Sequence, residues 1–264
     1  MSDSKSGLVI VEDRTAYALI RINRPEKRNA MSRAARVAFA DALAAARAHK
    51  VIVLTGTGAS FCAGVDLKEI AAEREAGAGE ASSREWIEVL LSIRRHPAIV
   101  IAAVNGFALG GGSTLINVSD LAIAANEAEI GMPEMGFATY PGMAGPAMQI
   151  MLTRKRAAWM VLTARRIDGQ TAERWGLVNE SVPLAELDRA ADALARHVAQ
   201  FDAAALSESK AALDMIPTRI GDFAGGFDYG RRVNAAIAAR SAGQAEGLAR
   251  FARGEANVTQ GKRR

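Results

Sequence analysis

Residues 98–120 read AIVIAAVNGFALGGGSTLINVSD, and no other stretch of the chain constrains the fold as strongly. The apolar run from Ile99 to Val104 has the length of a buried strand. Asn105-Gly106 turns the chain, and Gly110-Gly111-Gly112 deliver it to the start of a helix. A strand that runs into glycines at a helix N-terminus leaves unpaired backbone N–H groups able to face a negative charge. Bare glycines also let a ligand approach the backbone closely. The competing reading is a tight turn that uses glycine for its φ angles alone.

The same grammar occurs earlier. The second buried strand, residues 51–55, passes into GTGASFCAG, and Val65-Asp66-Leu67-Lys68 opens a helix. This loop lacks the Gly-Lys-Ser/Thr ending of a P-loop and the spacing of a dinucleotide fingerprint, so nucleotide binding is disfavoured. Two strand–glycine–helix units side by side could aim two backbone donors at one atom.

The remaining pattern is mixed α/β. Residues 8–12 and 16–22 form an opening hairpin. The loop NRPEKRNAM follows, with Lys27 and Arg28 as either solvated charges or phosphate contacts. An alanine-rich helix capped by Ser32 runs to about His49. Residues 73–83 (EREAGAGEASS) lack a period and read as a mobile connection. Residues 84–95 place Trp86, Val89, Leu90 and Ile93 on one helix face.

Short strands are expected at 121–124 and 128–131, and Glu134 follows among apolar and small residues as either a solvated or a buried acid. Helices at 154–163 and 168–175, the second capped by Asp168 and stopped by Gly176, precede a last strand at 177–182. Beyond 184 the pattern is helical, with breaks near 201–202, Pro217 and Gly225-Gly226. An α/β core, residues 1–200, carrying a helical region, 201–264, is the organisation expected.

Aromatics are only 5% of the 264 residues, so aliphatic side chains must fill the core. A net charge of +4 mildly favours an anionic partner, but the basic residues are too evenly balanced by acids to indicate nucleic acid. Cys62 is the single cysteine, which excludes an intramolecular disulfide and fits a reducing compartment. MSDSKSG has no apolar run of signal-peptide type and no segment reaches membrane-spanning length; a cytoplasmic protein without membrane contact is expected. No metal-ligand cluster is present in the pattern. His49, His96 and His197 read as solvated or capping residues.

The blocks NRPEKRNAMS, FCAGVDLKEI, AAVNGFALGGGSTL, MPEMGFATYPGMAG and GLVNESVP, in that order and spacing, resemble the crotonase (enoyl-CoA hydratase/isomerase) superfamily over nearly the whole chain. The resemblance implies a spiral of repeated ββα units with a C-terminal helical region for trimerisation. It further implies trimers or pairs of trimers, and coenzyme A thioesters as substrates, the coenzyme being part of the substrate rather than a cofactor.

Carried over by position, the backbone N–H groups of Val65 and Gly111 would form an oxyanion hole, and Glu134 would be the acid/base. Gly142 would help place an attacking water. Lys27, Arg28 and Ala30, with Ala63, Asp66, Leu67 and Lys68, would lie along coenzyme A, and Tyr140 would line the acyl pocket. Thr114 departs from the pattern, because fatty-acid-oxidation hydratases carry a second glutamate there. A hydroxyl cannot shuttle a proton near neutral pH as a carboxylate does.

Three readings follow. One is a single-glutamate enzyme that shifts a double bond or adds water through a thioester enolate. Another is a hydratase-lyase like those acting on hydroxycinnamoyl-CoA, with a hydroxyl at the Thr114 position and Tyr229 near the tyrosine that meets the phenol. The third is a non-catalytic coenzyme A- or RNA-binding member of the fold, whose cue would be a dense basic face; Arg154-Lys155-Arg156 and Lys262-Arg263-Arg264 are short for that role.

Overall fold

A computed structural model describes residues 7–253. The first six residues and the Lys262-Arg263-Arg264 tail lie outside these. The opening hairpin is β1 (Val9–Asp13) and β2 (Ala18–Ile22), antiparallel, with Val9 opposite Ile22. Helix α1 (Arg33–Ala45) starts where the Ser32 side chain accepts from the Ala35 amide. There follow β3 (Val51–Gly56), β4 (Ser60–Cys62), α2 (Leu67–Glu75), α3 (Gly79–Arg95), β5 (Ile99–Val104), β6 (Phe107–Leu109), α4 (Gly111–Val118), β7 (Leu121–Ala125) and β8 (Ile130–Gly131). After a 3-10 turn at Pro133–Phe137 come α5 (Ala144–Met151), α6 (Arg154–Thr163), α7 (Gly169–Trp175), β9 (Glu180–Val182), α8 (Leu184–Ala199), α9 (Ala203–Arg219), α10 (Phe223–Arg240) and α11 (Gly243–Ala252).

From β3 onward the strands alternate between two sheets. The larger runs β1-β2-β3-β5-β7-β9, parallel from β2 onward, and the smaller runs β4-β6-β8, also parallel. Each turn of the chain therefore lays one strand in the large sheet and the next in the small sheet, giving a spiral whose successive turns stack in register. Every residue of β3 and β5 is buried, because helix α8 packs against these strands and the small sheet also packs on them. Strands covered on both faces read as unbroken apolar runs, which is why these two were legible in the sequence. On α8, Leu187, Ala191, Ala195 and Val198 recur at helical spacing and form the buried stripe.

Several expectations are corrected. Residues 73–83 are not an aperiodic connection: α2 runs to Glu75 and α3 begins at Gly79, leaving only residues 76–78 between them. Arg36 of α1, 2% exposed, ties both helices down, with its guanidinium 2.9 Å from Ser82 Oγ and 3.4 Å from Glu73 Oε1. The last strand spans Glu180–Val182 rather than 177–182. Pro217 lies inside α9, two residues before its end, where the missing N–H costs one bond of the final turn. Gly225-Gly226 lies inside α10, and the Gly225 amide donates to the Asp222 cap at 2.8 Å. Helix breaks fall instead at residues 220–222 and 241–242.

Candidate active site

The carboxyl ends of β4, β6 and β8 lie side by side, since Cys62 pairs with Ala108 and Leu109 with Gly131. Immediately beyond those ends come Val65, Gly111 and Glu134 respectively. Neighbouring strands stand about 4.8 Å apart, so three residues far apart in sequence are delivered to one edge of one small sheet. The carboxyl edge of parallel strands is where open α/β sheets hold ligands.

Gly64 has φ +96°, and a Cβ there would lie 2.7 Å from the Leu109 carbonyl oxygen. Only glycine lets the β4 loop pass this close to the end of β6. A Cβ at Gly111 would in turn lie 3.5 Å from the Val65 amide nitrogen, so the two amides border one small space. The Val65 amide is free because its neighbours carry the bridge to Met31: Met31 N–H donates to Gly64 O at 2.7 Å and Asp66 N–H to Met31 O at 3.3 Å. Gly111 opens α4, where helix N–H groups have no partner in the preceding turn. Neither amide donates a hydrogen bond among the described residues.

Glu134 sits in the 3-10 turn after β8, and its backbone carbonyl accepts from Thr139 N–H at 3.2 Å and Thr139 Oγ1 at 3.1 Å. Its carboxyl points at the start of α4, where a Cβ at Gly110 would lie 2.7 Å from Oε1. The other oxygen, Oε2, is buried and accepts no hydrogen bond among the described residues. Desolvation raises the carboxyl above the ordinary glutamate value, with only its own backbone N–H opposing. A partly desolvated carboxyl beside two free amides can take a proton from carbon or water and return it elsewhere.

Thr114, 2% exposed, lies one turn into α4, and its hydroxyl is 3.2 Å from the Gly110 carbonyl. Thr114 and Glu134 thus flank Gly110 from two sides. Gly142 is exposed, with open space where a Cβ would go. Tyr140 is also exposed, and its hydroxyl accepts from Gln149 Nε2 at 2.7 Å. Tyr229 lies on α10, which packs mainly against α9 and α11.

The basic loop is joined to the first amide's loop, because Ala63 N–H donates to Arg28 O at 2.9 Å. Lys27, Arg28, Leu67 and Lys68 are exposed beside this junction, while Ala30 and Ala63 are half-buried. Two residues not singled out in the sequence hold it together. Buried Asn29 donates to Thr57 O and Ser60 O and accepts from the Arg24 amide. Arg24 donates to Ala30 O and pairs with Asp66 at 3.3 Å, so the Asp66 carboxylate is already engaged by its own chain. Asn29 sits at φ +57°, a conformation asparagine tolerates better than most residues, and that was the one signal available.

Residues 12–251 match the family model described as enoyl-CoA hydratase/isomerase. The hydroxycinnamoyl-CoA hydratase-lyase of Pseudomonas fluorescens is 36% identical over 218 residues, covering 78% of this chain and 77% of that protein. A probable enoyl-CoA hydratase of Mycobacterium tuberculosis is 33% identical over 250 residues, covering 92% and 94%. Among solved structures, an enoyl-CoA hydratase of Mycobacterium smegmatis superposes with a TM-score of 0.87 at 28% identity, covering 95% of this chain and 98% of that one. Among the described residues no helix is long and apolar enough to cross a membrane.

Proposed function

The chain belongs to the enoyl-CoA hydratase/isomerase family and has its spiral fold, and from that premise we propose that it acts on an acyl-CoA thioester through an enolate, with Glu134 as its one acid/base carboxylate. The observation that carries this reading is the convergence of the Val65 and Gly111 amides beside the half-buried Glu134 carboxyl, whose Oε2 accepts no hydrogen bond among the described residues. When a proton leaves the carbon next to a thioester, or hydroxide adds to its β-carbon, the carbonyl oxygen gains negative charge. Donors fixed before that charge appears lower the barrier, each by about 3 kcal/mol.

In the isomerising direction the Glu134 carboxylate takes the proton from one carbon of the acyl chain. The electron pair moves into the enolate, and the same carboxyl returns the proton to another carbon, shifting the double bond. In hydration Glu134 takes the proton from water, the hydroxyl bonds to the β-carbon, and Glu134 then gives that proton to the α-carbon of the enolate. Thr114 donates to Gly110 O and offers only lone pairs to a water, so the work of a second carboxylate is absent. Lys27, Arg28, Ala30, Ala63, Asp66, Leu67 and Lys68 form the edge along which coenzyme A binds, with the exposed cations facing its phosphates. Tyr140 and Gly142 line the acyl side. Residues 201–264 serve as the trimerising region, in a homotrimer or a dimer of trimers.

A second reading is favoured by the 36% identity to a hydroxycinnamoyl-CoA hydratase-lyase. There, hydration of an aromatic enoyl thioester is followed by cleavage to an aldehyde and a shorter thioester. A phenol-binding Tyr229 would be required, and α10 would have to reach a site other than the one its own chain packs it against.

Incubation with 2-enoyl, 3-enoyl and hydroxycinnamoyl thioesters in heavy water, followed by NMR, separates these readings. Double-bond migration with deuterium at the new position, or a β-hydroxyacyl product, supports the first. Released aldehyde selects the second, and no reaction with any thioester overturns both.

A further inference from the structure

Trp86 is among the largest fully buried side chains, 1% exposed, on the face of α3 that packs toward α4. Its ring fills the core, which accounts for the carbon atoms. It does not account for the indole nitrogen. Nε1 is buried and finds no acceptor among the described residues, although a buried indole N–H ordinarily has one. Leaving such a donor unmade is destabilising, so the group is retained against a cost.

Its location is informative. A Cβ at Gly111 would lie 3.5 Å from Trp86 Nε1 and 3.5 Å from the Val65 amide nitrogen, and it would stand one bond angle from Gly111's own amide nitrogen. The space above Gly111 is therefore bordered by three nitrogens, each bearing one proton, from α3, the β4 loop and the start of α4. Among the described residues no oxygen accepts from any of the three.

We propose that Trp86 Nε1 is a third donor to the thioester carbonyl oxygen, completing with the Val65 and Gly111 amides the cradle in which the enolate charge develops. This rests on the acyl-CoA reading of the site and adds a residue to it. Indole donates and never accepts, so the position selects an oxygen rather than an N–H or a cation on the ligand. A donor locked in the core by its own ring loses no rotamer freedom when substrate arrives and needs no reorganisation as charge develops. Because the interaction strengthens as the oxygen becomes anionic, its removal acts on kcat more than on KM.

The test uses Trp86→Phe and wild-type protein labelled with 15N at the indole nitrogens. The chain has three tryptophans, so the signal missing from Trp86→Phe identifies that of Trp86. Crotonyl-CoA, whose acyl chain carries no polar group beyond the thioester, should move this signal downfield, and coenzyme A alone should leave it in place. The carbonyl stretch of bound crotonyl-CoA should lie at higher frequency in Trp86→Phe than in wild type. On the thioester that wild type turns over, Trp86→Phe should lose roughly 10- to 100-fold in kcat with little change in KM.

An indole signal indifferent to crotonyl-CoA, or Trp86→Phe within twofold of wild type in kcat with an unshifted carbonyl stretch, overturns the proposal while leaving the functional reading intact. A wild-type protein that neither binds crotonyl-CoA nor transforms any thioester ends both. The labelled wild-type measurement decides the matter even if Trp86→Phe folds poorly.

Discussion

Gly112 presses so closely on Cys62 that a Cβ at Gly112 would lie 1.9 Å from the Cys62 carbonyl oxygen. That contact sets the spacing between the loop carrying the Val65 amide and the helix carrying the Gly111 amide. Gly112→Ala must push α4 off the end of β4, and backbone cannot yield as a side-chain tip does. The expected result is a loss of at least 100-fold in kcat from misplaced donors, with stability lower by about 1–3 kcal/mol. Steady-state turnover and thermal melting read the two effects separately.

Glu134→Gln keeps the shape of the side chain and removes its proton chemistry. It should lower kcat by roughly 10²- to 10⁴-fold while leaving thioester affinity nearly unchanged. Turnover like wild type would remove Glu134 from the mechanism.

The pH dependence of Glu134 has a definite sign. A base must be ionised to act, and burial holds this carboxyl above the ordinary value of 4.5. The acid limb of kcat/KM should therefore fall above pH 4.5 and be absent in Glu134→Gln. For stability the sign is opposite. The folded state binds the proton more tightly, so this residue's contribution is full below the unfolded value and declines as pH rises through the folded one. Denaturant titrations of the two proteins at several pH values should diverge in that direction.

Cys62 is fully buried, and desolvation pushes its thiol up to about 12. Thiolate is the reactive form, so alkylation of the native protein should be slow and should track global unfolding. Rapid modification in native buffer, with activity retained, would show that the loop after β4 opens on its own.

Lys210 of α9 is 4% exposed, and its ammonium donates to Ile93 O and Ala98 O, both at 2.9 Å, while pairing with Asp120 at 2.7 Å. It pins α9 to the end of α3 and the start of β5. Lys210→Met leaves the largely buried Asp120 carboxylate with only the Val100 amide at 2.8 Å and Arg94 at 3.7 Å, and should cost about 3 kcal/mol. Adding Asp120→Asn should recover part of that loss, measured by chemical denaturation.

Strands β3 and β5, which feed the loops of the site, were readable where physical necessity leaves a mark, whereas β4, three residues long, reads as loop. Both strands are covered on both faces, so Ile99–Val104 is apolar throughout and Val51–Gly56 is apolar up to Leu54, and Gly56 and Gly106 are required by close backbone approach. Glu134 left a weaker trace. Its strand, Ile130–Gly131, is two residues long, and the meaning of a carboxylate there depends on Gly110, which no local period reveals. Arg24 and Asn29 were missed because their partners, Asp66, Thr57 and Ser60, lie far along the chain. Gly77 and Gly79 broke the apparent period of residues 73–83, although Arg36 holds helices on both sides of them. In the C-terminal region glycine and proline were weighted as breakers where helix ends tolerate them.

Alternation between the two sheets divides labour along the coil. Every second strand ends at the same rim, so the free Val65 and Gly111 amides and the Glu134 carboxyl arrive on consecutive windings, each braced by its neighbour. The helical excursion of α2 and α3 leaves that rim after Val65 and rejoins the stack at β5. Its outer face can change in length and composition while the Val65, Gly111 and Glu134 atoms keep their places, provided Trp86 on its inner face is kept. Freedom to vary and fixity of geometry are thereby assigned to different stretches of one polypeptide.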